Sequence, residues 1–132
     1  MDIAIVGATG NVGRKTLEVL QQKNLNIDNL YLVASPNSAG KQLEFNGKKY
    51  SIENLETYNF SKAKITFFAA GGKISEQYAE KAAKHTTVID NSSYFRMDPD
   101  VPLIVPQVNA KDIQNMKKNI IANPNCSTAQ LV

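Results

Sequence analysis

The sequence predicts an α/β protein: a doubly wound, mostly parallel sheet with helices on both faces, forming a single domain over residues 1–132. Three observations carry that expectation. Residues 2–6 (DIAIV) are nearly all apolar, as in a strand buried on both sides; a glycine-rich turn follows; and helical periodicity begins at once. The same alternation of short apolar runs with helical stretches then recurs along the chain. Such sheets receive their ligands at the carboxyl ends of the strands.

Taken in order, Val12, Thr16, Val19 and Leu20 recur at helical spacing after the first strand, and Lys23-Asn24 marks the end of that helix. Residues 30–34 (LYLVA) form the second strand. QLEFNGKKYSI reads as a hairpin, because Asn46-Gly47 suits a type I′ turn. Residues 65–70 (ITFFAA) give a further buried strand closed by Gly71-Gly72, residues 74–84 a helix, and residues 87–90 (TVID) a short strand. LIVPQV is strand-like, residues 112–117 suggest a short helix, and residues 119–122 (NIIA) supply the last strand.

The 132 residues are 42% hydrophobic and 20% charged, ordinary for a soluble globular chain able to bury a core. The start MDIAIVGATG has no basic stretch leading into an apolar run, and no apolar segment approaches the roughly 18 residues of a membrane span. A cytoplasmic protein without a membrane partner is expected. The net charge of +3 is spread over scattered lysines, which argues against a nucleic-acid partner. One cysteine and one histidine offer no metal set.

In GATGNVG the glycines Gly7, Gly10 and Gly13 stand three apart. Glycine allows tight turning and close approach of backbone to a pyrophosphate, and the N–H groups of Thr9, Gly10, Asn11 and Val12 would point from a helix N-terminus toward bound anion. A plain strand-to-helix turn is the competing reading. Folds that take NAD commonly carry an acid at the end of the second strand, yet residues 29–43 contain no carboxylate. Ser35, Asn37, Ser38 and Lys41 stand there instead, and hydroxyls, an amide and a cation can donate to a 2′-phosphate. NADP is therefore favoured, with a polar surface loop as the alternative.

Cys126 follows the strand NIIA and the turn Asn123-Pro124-Asn125, and STAQLV after it can begin a helix. A thiol at a helix N-terminus is biased toward thiolate, which is where a nucleophile belongs. A buried, inert cysteine is the alternative. Arg96, one of two arginines, follows the polar turn DNSSYF; its planar fork suits phosphate or carboxylate, or else an ion pair with Asp98 or Asp100. His85 closes a helix, where an imidazolium needs no catalytic explanation.

Five stretches in order, GATGNVG, ASPNSAGK, AAGGKISEQYA, VIDNSSYFRMDPDVPLIVPQVN and ANPNCSTAQLV, resemble the N-terminal part of the aspartate-semialdehyde dehydrogenases. The resemblance spans nearly the whole chain and implies a Rossmann-like NADP-binding domain. It implies that Cys126 attacks the acyl phosphate of L-aspartyl-4-phosphate, that Arg96 and Asn125 hold the departing phosphate, and that NADPH reduces the resulting thioester. It further implies that residues 9–12 cradle the pyrophosphate with Gly7, that Ser35, Asn37 and Ser38 meet the 2′-phosphate, and that Gly71-Gly72 borders the nicotinamide ribose. Two positions depart from the family pattern: Asn37 stands where an arginine is frequent, and Gln107 replaces an acid.

Family members continue into a second domain that carries substrate-orienting residues and the main dimer surface. The resemblance thus implies a chain that ends just after its nucleophile and is inactive alone, with a homo-oligomer as a possible assembly. Two rivals stand beside it: a non-catalytic nucleotide-binding or self-association module, and a related acyl-phosphate reductase such as N-acetyl-γ-glutamyl-phosphate reductase.

Overall fold

Residues 2–6 do form a strand, β1 (Asp2–Val6), and it lies near the centre of a seven-stranded sheet. The structure, a computed structural model, describes residues 1–124. Asn125 and Cys126, on which the expected nucleophile and part of the phosphate site fall, lie outside the described residues. After β1 come helix α1 (Asn11–Gln22), strand β2 (Asn29–Ala34), the hairpin β3 (Gln42–Phe45) and β4 (Lys48–Asn54), and strand β5 (Ile65–Phe68). Helix α2 (Gly72–Ala83), strand β6 (Thr87–Asp90), the one-turn helix α3 (Pro106–Asn109) and strand β7 (Ile120–Ala122) complete the order.

The sheet runs β3-β4-β2-β1-β5-β6-β7, parallel except where β3 joins β4. The hairpin turns at Asn46 (φ 52°) and Gly47 (φ 77°), the double positive φ that the Asn-Gly pair was expected to provide. From β1 the chain moves outward through β2 and then returns to β5 on the other flank. This reversal puts the switch point of the topology between the carboxyl ends of β1 and β5.

Alternation along the central strands sends their side chains into two cores. Ile3, Ile5, Leu30 and Leu32 pack with Leu17 and Leu20 of α1, whereas Ala4, Val6, Val33 and Phe68 pack with Ala79 and Ala82 of α2. Helices thus cover both faces, as doubly winding requires. One row of paired residues, Ile52, Leu32, Ile5, Phe67, Ile89 and Ile121, crosses the sheet on the α1 side. Its first three members are buried, but Phe67, Ile89 and Ile121 are only half-buried; Phe67 and Ile89 line a cavity shared with Val12, Thr16 and Val19 of α1.

Four local expectations are corrected. The buried stripe of α1 is Gly13, Leu17 and Leu20; Val12 and Val19 are exposed, turned away by the demand that Gly13 face the preceding turn. Strand β5 stops at Phe68, although the Ala69 N–H still donates to the Val6 carbonyl of β1 at 2.8 Å. LIVPQV is not a strand: Leu103 makes one isolated bridge to Ala122, and Pro106 opens α3 at a position where its missing N–H costs nothing. The short helix expected over residues 112–117 is instead a 3₁₀ segment, Ala110–Asn115.

Candidate functional site

The turn after β1 is shaped by close backbone approach. Gly7 has φ +86°, and a Cβ there would stand 2.7 Å from the carbonyl oxygen of Ala69. Its N–H donates to the Val33 carbonyl at 2.8 Å, which draws the turn onto β2. A Cβ on Gly13 would stand 2.0 Å from the Gly7 carbonyl oxygen, so α1 can start this tightly against the turn only with glycine in its first turn. Gly10 is the N-cap, and no side chain caps the helix. The first-turn N–H groups of Asn11, Val12 and Gly13 have no intrahelical acceptor, and they carry the positive end of the helix dipole.

This turn opens into a cleft of about 480 Å³ at the carboxyl ends of β1 and β2, lined among others by Gly7, Thr9, Gly10, Ser35, Ala69 and Ala70. Ser38 joins through its hydroxyl, 3.5 Å from that of Thr9. Asn37 is exposed on the same loop. Gly71 takes φ +90° with open space where a side chain would project, leaving the start of α2 accessible from above. The opposite wall of the cleft, Leu55, Glu56, Gln77 and Tyr78, carried no signal in the sequence beyond falling after a strand or on a helix. A turn that glycines hold tight against α1 and β5, hydroxyls in place of an acid, and an uncapped helix start fit the diphosphate and ribose of a dinucleotide.

Val12 faces the other way, into a smaller cavity of about 280 Å³ that Asn91 and Asn123 also line. These two asparagines hold Arg96. Its Nε donates to the Asn123 carbonyl at 2.8 Å and its Nη2 to the Asn91 carbonyl at 3.3 Å, while Asn123 Nδ2 donates to Asn91 Oδ1 at 2.9 Å. The alternative of an ion pair with Asp98 or Asp100 is not what forms: Asp98 takes Lys118 at 2.9 Å and Asp100 takes Lys117 at 3.6 Å. Among the described residues Arg96 makes no ion pair, and the N–H groups of its fork not held by these carbonyls are left for another acceptor. His85 is exposed at the far end of α2, at the amino-terminal edge of the sheet and away from these groups.

A buried polar cluster escaped the sequence reading. Asp90 is fully buried at the end of β6, and Oδ1 accepts from Ser75 Oγ at 2.6 Å and from the Ser92 N–H at 3.1 Å. Ser92 Oγ donates to Oδ2 at 2.8 Å. DNSS carried a signal of local Asx turns, but nothing in the sequence tied it to Ser75.

An open parallel sheet with an anion-ready glycine turn at its switch point defines a dinucleotide-binding domain. Residues 2–116 match the family model described as semialdehyde dehydrogenase, NAD binding domain, and the chain belongs to that family. It is 54% identical over 133 residues to an aspartate-semialdehyde dehydrogenase of Aquifex aeolicus, a match that covers 98% of this chain and 39% of that protein. A solved Vibrio cholerae aspartate-semialdehyde dehydrogenase II complexed with ASA superposes with TM-score 0.95 at 48% identity, covering 98% of this chain and 43% of that one. The Candida albicans enzyme solved with NADP gives TM-score 0.80 at 26% identity, covering 100% of this chain and 45% of that one. The chain thus spans about two fifths of the length of the relatives it matches. Among the described residues, no helix is long and apolar enough to cross a membrane.

Proposed function

We propose that this chain is the NADP-binding part of an aspartate-semialdehyde dehydrogenase, with residues 1–132 forming the cofactor domain. The carrying observation is the uncapped start of α1 opening onto a cleft shared with Ser35, at the end of a strand with no acid between residues 29 and 43. Residues 9–12 would take the pyrophosphate, Ser35, Asn37 and Ser38 the 2′-phosphate, and Gly71-Gly72 the nicotinamide ribose. The cofactor, when bound, supplies the hydride. The Candida albicans relative, solved with NADP, supports the choice of nucleotide.

Within a complete enzyme, the chemistry assigned to the residues of this chain is acyl transfer. Cys126, as thiolate, attacks the acyl carbon of L-aspartyl-4-phosphate; the carbon–oxygen bond to phosphate breaks, and phosphate leaves with the bonding electrons toward Arg96 and Asn125. The thioester keeps the carbonyl fixed for reduction, which turns a two-reactant encounter into a positioned one. Arg96 suits the leaving group because its anchors are backbone carbonyls and its charge is not cancelled by an acid. Reduction and release of the semialdehyde regenerate the thiolate. The substrate-orienting groups would come from polypeptide beyond this chain, as would the surface for a homo-oligomer, and the enzyme would work in the cytoplasm.

Alkylation of Cys126 in the presence of each nucleotide tests the proposal. NADPH should slow the reaction, and NADH at the same concentration should do so less. Equal indifference to both would overturn the cofactor assignment.

A further inference from the structure

We infer that the buried Asp90, Ser75 and Ser92 cluster positions Arg96 relative to the cofactor turn, so that these three are positioning residues for the anion half of the site. The inference rests on the reading of Arg96 as an anion-binding group. It begins from a cost. A fully buried carboxyl group in an α/β core is expensive unless every oxygen is satisfied, and Asp90 meets donors at 2.6, 2.8 and 3.1 Å. No lysine or arginine pairs with it among the described residues. Its compensation comes from α2: Ser75, whose hydroxyl donates to it, lies in the first turn of that helix.

The cluster joins the two loops that the proposed reaction must hold at fixed separation. On one side the Ser75 N–H, in α2, donates to the carbonyl of Gly71 at 3.2 Å, in the turn assigned to the nicotinamide ribose. On the other, the Asp90 carbonyl accepts the Asn123 N–H at 2.9 Å and Ser92 fixes the start of the loop that carries Arg96. Asn91 and Asn123, immediately beside these bonds, are the residues whose carbonyls hold the guanidinium. Every link from Gly71 to Arg96 is therefore a hydrogen bond of defined direction or a single peptide unit. Apolar packing between α2 and β6 would be as stable but would leave the loop free to slide.

Inorganic phosphate titrated into the ¹⁵N-labelled chain provides the test, with the Arg96 Nε–H resonance as the local readout and NADPH affinity as the distant one. The wild type should show a saturable shift at Arg96. Ser75→Ala should weaken that response about three- to tenfold, the scale of one lost hydrogen bond, while NADPH affinity stays within about twofold. Ser75→Thr, which keeps the hydroxyl, should restore it. Asp90→Asn, nearly isosteric, gives a second route should Ser75→Ala fold poorly, and the same weakening is expected. A wild-type chain that takes up NADPH but shows no phosphate response at Arg96 would overturn the anion reading itself. A wild-type response matched by Ser75→Ala and Asp90→Asn would leave that reading standing and overturn the positioning role.

Discussion

Gly13 sits directly against the Gly7 carbonyl, so close that a methyl group on Gly13 would fall 2.0 Å from the oxygen and 2.8 Å from the Ala8 Cα. Both obstacles are backbone and cannot rotate aside. Gly13→Ala should therefore push α1 off the turn, costing about 3 kcal/mol in urea unfolding and abolishing nucleotide binding. Gly10 is the control: its Cβ would meet the same oxygen at 3.5 Å, an ordinary contact. Gly10→Ala should change stability by no more than about 1 kcal/mol.

Nucleotide choice should respond to charge at Ser35, which lines the cleft at the end of β2. Ser35→Asp places there the acid that NAD-preferring folds use for the ribose hydroxyls and that a 2′-phosphate repels. NADPH affinity should fall by about tenfold or more relative to NADH, a ratio that fluorescence titration with each nucleotide measures directly.

The tether between Asp98 and Lys118 should give a stability window in pH. The hydrogen bond from Lys118, aided by the Asp100 N–H, holds the Asp98 carboxyl below its usual range; bonds to Asp98 and then Glu80 raise Lys118 above its own. Asp98 thus stabilises the fold above its unfolded value and loses that contribution as pH falls through the lower folded value. Lys118 contributes fully below its unfolded value and loses its share as pH rises through the higher folded one. The gap in thermal midpoint between wild type and Lys118→Met should be widest from about pH 5 to 9, closing below about pH 4 and above about pH 10.5. A gap constant across that range would contradict the pairing.

Asn119 combines a positive φ of 59° with three side-chain bonds. Its Nδ2 donates to the carbonyls of Ala83 at 3.1 Å and Thr86 at 2.8 Å, and its Oδ1 accepts from Thr87 Oγ1 at 2.9 Å. One residue thereby closes α2, starts β6 and turns the chain into β7. Asn119→Ala loses the bonds and strains the backbone, about 2–4 kcal/mol in thermal or urea unfolding; Asn119→Gly, free of strain, should fall between.

What could be read from the sequence was local in origin. The apolar runs of β1, β2 and β6, the Asn46-Gly47 turn and the three glycines each carry their instruction within a few residues. The phase of α1 could not be read that way, because Val12 and Val19 look as apolar as Leu17 and only the contact between Gly13 and Gly7 decides which side turns inward. Leu103 to Val108 is apolar enough for a strand, yet a ladder needs a neighbour, and only Leu103 finds one. At the candidate site the glycine turn and the unusual Arg96 were visible from residue type. The partners of Arg96 were not, since two backbone carbonyls hold it and the nearby acids are taken by lysines. Asp90 was hidden for the same reason: its partner Ser75 is a helix residue fifteen positions away.

The half-covered row of Phe67, Ile89 and Ile121 carries a thermodynamic signature. Hydrocarbon already wetted in the native state adds nothing to the change in hydration when the chain melts. Against the usual ~12–15 cal/mol/K per residue, three half-buried side chains lower the heat-capacity increment of unfolding by about 5% at most, so it should stay within that range, displaced toward its lower end.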